Sequence, residues 1–279
     1  MILTNFAATN IEISVGAQPL FHIGGFAFTN SMLTGLVSLV VLLALFGYVV
    51  YKVKRGQYNR FIGLVQWAFE GMLGQVYDII PDRKVARQIA PLALTIFFYM
   101  MVSYWMSILP GLDSVKYNGA PILRSIAADL NFTFAVAIIV VIVVQYQALK
   151  AHGPIGNAKR YLRNPFKDPI GSFEGALEFI GEFSRYAALS VRMFGNCFAG
   201  EILLTILGVL TGWFAIAALP FFMIFELFIG FIQAYVFFVL TVIFTSLAIE
   251  SHGDAHDHVE QLTDHSPAAS PKHKAPQTE

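Results

Sequence analysis

Long runs of apolar residues alternate with short polar segments along most of this chain. A helix needs about 20 mostly apolar residues to cross the hydrocarbon core of a bilayer. We expect five membrane-spanning helices, at residues 32–51, 89–109, 132–149, 173–211 and 221–249. The last two are the longest, and most of the charged and amide side chains inside the apolar runs belong to them.

The segment 61–80 has a different pattern. Gln66, Glu70, Gly74 and Asp78 recur every four residues, and mostly apolar side chains occupy the positions between them. This spacing gives a helix with one polar stripe, which is typical of a helix lying along a membrane surface. The sequence therefore predicts an all-α polytopic membrane protein with five transmembrane helices plus one amphipathic interfacial helix, the last two spans being long and polar.

The basic residues of the loops predict which way the chain crosses the membrane, because Lys and Arg concentrate on the cytoplasmic side. If 61–80 lies flat, the basic residues around the first three spans all face one side, and only Lys116 and Arg124 face the other. If 61–80 crosses the membrane, the basic loops are split between the two sides. We favour the flat arrangement, with the N-terminus outside and the C-terminus in the cytoplasm. The basic residues on the cytoplasmic side are then Lys52, Lys54, Arg55, Arg60, Arg83, Lys84, Arg87, Lys150, Lys159, Arg160, Arg163 and Lys167.

Three regions follow from these patterns: an outer-side N-terminal segment at 1–31, a membrane domain at 32–250 and a tail at 251–279. The tail is polar and contains three prolines and five of the seven histidines. Such a segment has too little apolar surface to bury a core, so we expect it to be disordered in the cytoplasm. We interpret its histidines as solvated rather than metal-binding, and the sequence predicts no metal site and no cofactor.

Composition supports a membrane protein and limits its functions. The chain is 56% hydrophobic and only 13% charged, whereas soluble domains contain roughly 25% charged residues. The formal net charge is zero, which gives no reason to expect a nucleic-acid partner. The single cysteine, Cys197, excludes an intrachain disulfide. No histidine lies in a predicted span, so any proton path at membrane depth must use carboxylates, amides and water.

One arginine interrupts the apolar part of the fourth span. The guanidinium of Arg192 keeps its charge in proteins, and an arginine at the centre of a membrane helix costs about 2.5–3.5 kcal/mol on insertion scales. It therefore needs either a carboxylate partner or a functional role. Asn196 follows four residues later on the same helix face, whereas Glu201, nine residues later, lies on the opposite face.

Two acids in the last two spans have too few basic partners. Glu226 and Gln233 are seven residues apart and share a face of the last span. Glu201 and Glu226 both belong toward the outer side of the membrane, and only Arg185 and Arg192 are basic within these spans. Paired acids that hold the bundle together are one interpretation. We favour the other, an aqueous path that reaches these carboxylates from outside, because an unpaired carboxylate at this depth needs water or a proton.

The residues around the arginine resemble a known signature. Arg192, Phe194, Gly195 and Asn196, followed by Gly200 and Glu201, match the Arg-x-Phe-Gly-Asn region of the a subunit of the membrane sector of rotary F-type ATP synthases. The run Ala128-Asp129-Leu130-Asn131-Phe132-Thr133 and Gln233 also match. The resemblance spans most of residues 20–250, with Met193 and Cys197 as variants.

This resemblance implies a stator subunit that supplies two proton half-channels to a rotor ring, with Arg192 separating them. The outer half-channel would pass Glu201, Glu226 and Asp129, with Asn196 and Gln233 nearby. Asp129 could instead cap the helix it precedes. The implied partners are a ring of c subunits, the b subunits of the peripheral stalk and the lipid bilayer of a bacterial cell (inner) membrane. We expect no catalytic site in the chain itself, because no phosphate-binding G-x-x-x-x-G-K-[ST] string is present.

The inner path and the competing functions leave alternatives open. Glu174, Glu178 and Glu182 repeat every four residues at the start of the fourth span. Two interpretations fit them equally well. They are either part of an inner exit path or simply acids near an exposed helix N-terminus, where the helix dipole favours negative charge. A stand-alone secondary transporter or ion channel is the alternative function, and it would be expected to show internal repeats, which we do not find. An intramembrane hydrolase would need a histidine to activate a serine or cysteine nucleophile, and no predicted span contains a histidine.

Overall fold

Six helices make up most of the part of the chain that the computed structural model describes. The described residues are 16–23, 26–108, 116–117, 120–121, 124–161 and 169–249. The predicted disordered tail and the first part of the N-terminal segment lie outside them. The helices are α1 (Asn30–Lys54), α2 (Arg60–Ile79), α3 (Arg83–Ile108), α4 (Leu130–Tyr161), α5 (Pro169–Leu210) and α6 (Ala215–Ile249).

The predicted number of spans is confirmed. The helices α1, α3, α4, α5 and α6 are long and apolar enough to cross a membrane, and α2 is not among them. With 42 residues, α5 would be about 63 Å long if straight, roughly twice the hydrocarbon thickness of a bilayer. The 35 residues of α6 also exceed that thickness. The expectation that the last two spans are the longest is therefore confirmed as well.

Local sequence accounts for where the helices begin and end. Thr29 caps α1, since its Oγ1 accepts a hydrogen bond from the backbone N–H of Met32 at 3.4 Å. Lys52 and Lys54 lie in the last turn of α1, where the helix dipole favours a positive charge. Gly56 follows with φ +67°, a left-handed conformation that suits glycine and turns the chain into α2.

Three features of the backbone were not predicted. A short antiparallel hairpin, β1 (Pro19–Ile23) with β2 (Phe26–Thr29), precedes α1. A second hairpin, β3 (Lys116–Tyr117) with β4 (Ala120–Pro121), lies between α3 and α4. In addition, α4 is broken at Gly153, which has φ +71°, so its membrane-spanning part ends at Pro154.

The buried core lies where α3, α4, α5 and α6 pack together, with α1 and α2 against α3. Aromatic side chains join α3 to α6: the Phe97 ring lies 5.9 Å from that of Phe231 and 6.2 Å from that of Phe238, both in edge-on geometry. Such pairs stabilise beyond simple burial, by about 0.5–1.5 kcal/mol each. This packing fixes α6 between α3 and α5, and the polar groups described next lie at that junction.

Candidate functional site

Glu226 is a buried carboxyl group at the junction of three helices. Its residue is only 5% exposed, and the hydroxyl of Tyr104 on α3 donates a hydrogen bond of 2.6 Å to its Oε1. Two glycines make this arrangement possible. A Cβ atom at Gly200 on α5 would overlap the carboxyl group, and one at Gly230 on α6 would overlap the Tyr104 ring. The close packing therefore requires residues without side chains at both positions.

Glu201 follows Gly200 on α5 and faces the short 3₁₀ turn before α4 (Ile126–Ala128). Its Oε1 accepts a hydrogen bond of 3.3 Å from the backbone N–H of Ser125. The hydroxyl of Ser125 in turn accepts one of 3.1 Å from the thiol of Cys197, and Ser107 Oγ lies 4.0 Å from that sulfur. Polar groups of α3, α5 and the 3₁₀ turn thus surround Glu201. Cys197 itself is buried, as expected of a small apolar residue.

About one and a half helical turns from Glu201, the two amides form a pair between α5 and α6. Asn196 Nδ2 donates a hydrogen bond of 3.1 Å to Oε1 of Gln233. Gln233 is 3% exposed, and its buried Nε2 has no hydrogen-bond partner among the described residues. A buried polar hydrogen-bond donor is costly when unsatisfied. The amide pair therefore provides a site where water or an approaching acceptor is stabilised.

Arg192 lies beyond the amide pair and points away from the rest of the described bundle. Its side chain is exposed, and so are Ala188 and Ala199 on the same stripe of α5, whereas the adjacent Met193 is buried. Arg192 forms no ion pair within the described ranges. The interpretation that it is simply paired with a carboxylate of its own bundle therefore finds no support in the geometry.

Asp129 has the capping role that the sequence left as an alternative. Its Oδ1 accepts a hydrogen bond of 3.0 Å from the backbone N–H of Asn131 in the first turn of α4. Its Oδ2 accepts one of 2.7 Å from the hydroxyl of Ser31 on α1. Asp129 therefore begins α4, joins it to α1 and lies directly after the 3₁₀ turn that Glu201 contacts.

The acids at the start of α5 differ from one another. Glu182 accepts a hydrogen bond of 2.8 Å from Gln145 Nε2 on α4, so it faces a neighbouring helix and is not simply an acid at a free helix end. Glu178 is half-buried. The side chain of Glu174 lies outside the described residues.

Sequence reasoning missed the contributions of α3 and of the loop before α4. Tyr104 and Ser107 are polar residues one turn apart in the second span. That spacing could have predicted that α3 contributes polar groups to the site. Arg124 was predicted only as a loop charge. It is 8% exposed, donates a hydrogen bond of 2.6 Å to the carbonyl of Gly16 and lies 6.0 Å from the centre of the Phe198 ring.

These groups form a ladder, which we call the polar ladder. It consists of Ser125 and Glu201, then Glu226 with Tyr104, then the Asn196–Gln233 pair, and it leads toward the exposed Arg192. Carboxyl and hydroxyl groups can pass protons through water that links one rung of the ladder to the next, and the amide groups can orient that water. The chemical capacity of the site is thus proton transfer along the α5–α6 interface, ending beside a fixed positive charge.

Comparison with known proteins gives consistent matches over most of the chain. Residues 32–246 match the family model described as "ATP synthase A chain". The chain is 30% identical over 237 residues to the ATP synthase subunit a of Mycobacterium ulcerans, covering 82% of this chain and 90% of that protein. It is 32% identical over 257 residues to the ATP synthase subunit a 1 of Photobacterium profundum, covering 89% and 93% respectively.

Proposed function

This chain belongs to the ATP synthase A chain family and is a membrane subunit of an F-type ATP synthase, and from this premise we propose that it conducts protons to and from a rotor ring. In this proposal the ring consists of c subunits, each with one carboxylate at membrane depth. The b subunits of the peripheral stalk hold the chain against rotation. The chain has no catalytic site of its own, and ATP chemistry belongs to other subunits of the complex.

One observation carries the proposal: the polar ladder ends at a cation that faces outward from the bundle. An arginine that faced lipid alone would cost several kcal/mol, whereas a carboxylate brought to it by a neighbouring protein offsets that cost. The exposed alanines beside Arg192 support close approach of such a partner, because small side chains let helices pack tightly in membranes.

The outer half-channel of the proposal follows the polar ladder. A proton arriving near Asp129 and Ser125 passes to Glu201 and then to Glu226. Because Tyr104 donates to one oxygen of Glu226, the other oxygen is free to accept the proton or release it. The Asn196–Gln233 pair then orients water toward the ring carboxylate.

Arg192 separates the two half-channels in this mechanism. Its charge stabilises a ring carboxylate in the ionised form as that group passes, so each carboxylate must release its proton on one side of Arg192 and gain one on the other. We propose that release proceeds along the inner path past Glu178 and Glu182, with Glu174 at its end. One charge moved through 100 mV supplies about 2.3 kcal/mol, so several protons must pass for each ATP, which fits a rotary mechanism.

The orientation is part of the proposal. We place the chain in a bacterial cell (inner) membrane, with the N-terminus and the 3₁₀ turn outside and the C-terminus in the cytoplasm. The basic residues at the end of α1 and at the start of α3 support this orientation through the positive-inside rule.

Substitution of Arg192 tests the proposal. In membrane vesicles that contain the whole complex, Arg192→Ala should abolish ATP-driven proton pumping while the chain remains assembled. Arg192→Lys should also fail, because an ammonium is more strongly hydrated and can lose its proton when desolvated. Arg185→Ala, which removes a second exposed guanidinium from the same helix, is the control and should pump. Normal pumping by Arg192→Ala would refute the proposal.

The same vesicles test the outer path. Glu226→Gln removes the titrating oxygen and should slow pumping strongly. Tyr104→Phe removes only the hydrogen bond to that carboxyl group and should slow pumping less. If Glu226→Gln pumped at the wild-type rate, the outer half-channel would have to run elsewhere.

A further inference from the structure

An apolar cleft of about 480 Å³ lies between α1, α2 and α3. Its volume falls within the range of roughly 300–1,000 Å³ that is usual for small-molecule sites. Leu43 and Phe46 of α1, Phe69 of α2, and Leu94 and Phe98 of α3 form its walls. No lining residue belongs to α5 or α6, so the cleft is separate from the polar ladder.

The cleft is open to the surroundings and has a basic end. Leu43 is 63% exposed although it lines the cleft, so an apolar molecule can enter from the side. Arg87 lines the cleft at the beginning of α3, one turn, or about 6 Å, from the first residue of that helix. Tyr77 of α2 also lines it, and the Arg83 guanidinium lies 5.4 Å from the centre of the Tyr77 ring. One guanidinium thus lines the basic end of the cleft, and a second lies beyond it against the Tyr77 ring.

We propose that this cleft binds a phospholipid with an anionic headgroup. One acyl chain lies along the leucines and phenylalanines, and the phosphate contacts Arg87, with Arg83 and the Tyr77 hydroxyl at its edge. Guanidinium groups recognise phosphate through paired N–H donors. Asp82 is the nearest acid to α3 in sequence, and it accepts a hydrogen bond of 2.8 Å from the backbone N–H of Lys84, as a helix cap does.

The charge at one end of the cleft favours a phospholipid over a helix of another protein. A phospholipid places its phosphate at the Arg87 guanidinium and its acyl chains beside the leucines and phenylalanines. An apolar transmembrane helix would cover the same apolar side chains but would bring no anion to Arg87. This inference does not depend on the proposed proton path or on which side of the membrane α3 begins.

Lipid retention measured by native mass spectrometry tests the inference. The detergent-purified complex is exchanged into phosphatidylglycerol or into phosphatidylcholine with the same acyl chains, and the lipid still bound to the chain is counted. The variants are Arg87→Gln, which removes the charge, and Leu43→Trp, which fills the cleft from an exposed position. Their matched controls are Arg60→Gln at the start of α2 and Leu36→Trp, an exposed α1 position outside the cleft.

We expect the wild-type chain to retain phosphatidylglycerol in preference to phosphatidylcholine. Arg87→Gln should reduce phosphatidylglycerol retention about tenfold, as expected for loss of a hydrogen bond to a charged group, and leave phosphatidylcholine unchanged. Leu43→Trp should reduce retention of both lipids, and the two controls should behave as wild type. Equal retention by wild type and Arg87→Gln would overturn the inference. So would full competition by glycerol phosphate, which indicates a simple anion site, or cross-linking of Leu43→Cys to another subunit with no change in lipid.

Discussion

At the scale of single residues, the site depends on two glycines as much as on its polar side chains. Glu226 reaches Tyr104 only because Gly200 and Gly230 leave space on either side. Gly181 and Gly195 of α5 do not share this role, because a Cβ atom at either position would meet nothing within 4 Å. Gly200 is therefore required for close packing at this position.

Paired glycine substitutions test this difference. Gly200→Ala should destabilise the detergent-solubilised protein by about 2 kcal/mol, because the added methyl group displaces the Glu226 carboxyl group and breaks its hydrogen bond to Tyr104. Gly181→Ala, in open space on the same helix, should stabilise it by roughly 0.5–1 kcal/mol through helix propensity alone. Thermal unfolding of the two variants measures both values. Shifts of the same sign would contradict the packing argument.

Helical period explains which site residues the sequence could predict. Glu226 and Gln233 were expected to share a face of α6, and both are buried there. The partner of Glu226 was not predicted, because Tyr104 is 122 residues away in the chain and only tertiary packing brings the two together. The capping role of Asp129 could be stated only as an alternative, since a single acid before a helix fits either role.

At the scale of helices, the pattern of apolar residues predicted spans well and boundaries less well. The second predicted span began at residue 89, but α3 begins at Arg83, because its first turn is polar and lies outside the apolar run. The break in α4 at Gly153 depends on one backbone conformation that hydropathy does not report. The hairpins β1–β2 and β3–β4 are too short to give a clear alternating pattern.

We predict that α2 lies along the membrane surface. Its length alone does not decide this, because a helix of 20 residues could also cross a bilayer. If α2 lies along the surface, its two ends face the same side. In a Cys197→Ser background, Tyr58→Cys before α2 and Lys84→Cys after it should both react with an impermeant thiol reagent added to the cytoplasmic side only. A cysteine at 117, in the loop between α3 and α4, is the control and should react from the outer side. Opposite sidedness of positions 58 and 84 would mean that α2 crosses the membrane.

At the scale of the whole molecule, the bundle is unevenly covered. In the most apolar stretch of α3, 56% of the residues are buried inside the chain. In the corresponding stretch of α5, only 17% of the residues are buried. Much of the longest helix therefore faces something other than the described part of this chain. Lipid can cover apolar side chains such as Val191, but it does not solvate the Arg192 guanidinium on the same helix. The exposed stripe of α5 is thus the surface on which we place the rotor ring.

Site-directed cross-linking tests that placement. In the Cys197→Ser background, Ala199→Cys lies on the exposed stripe of α5 with Arg192, and Leu36→Cys lies on an equally accessible face of α1. Each cysteine is labelled with a thiol-reactive photo-cross-linker in native membranes, and the adducts are identified by mass. Position 199 should yield adducts with a small subunit of the ring, because the arginine and the ring carboxylate must approach within hydrogen-bonding distance for the charge to act. Position 36 should yield no ring adduct.

Ring adducts from position 36 alone would contradict this placement. They would put the rotor on the other side of the bundle, where the polar ladder could not deliver protons to it.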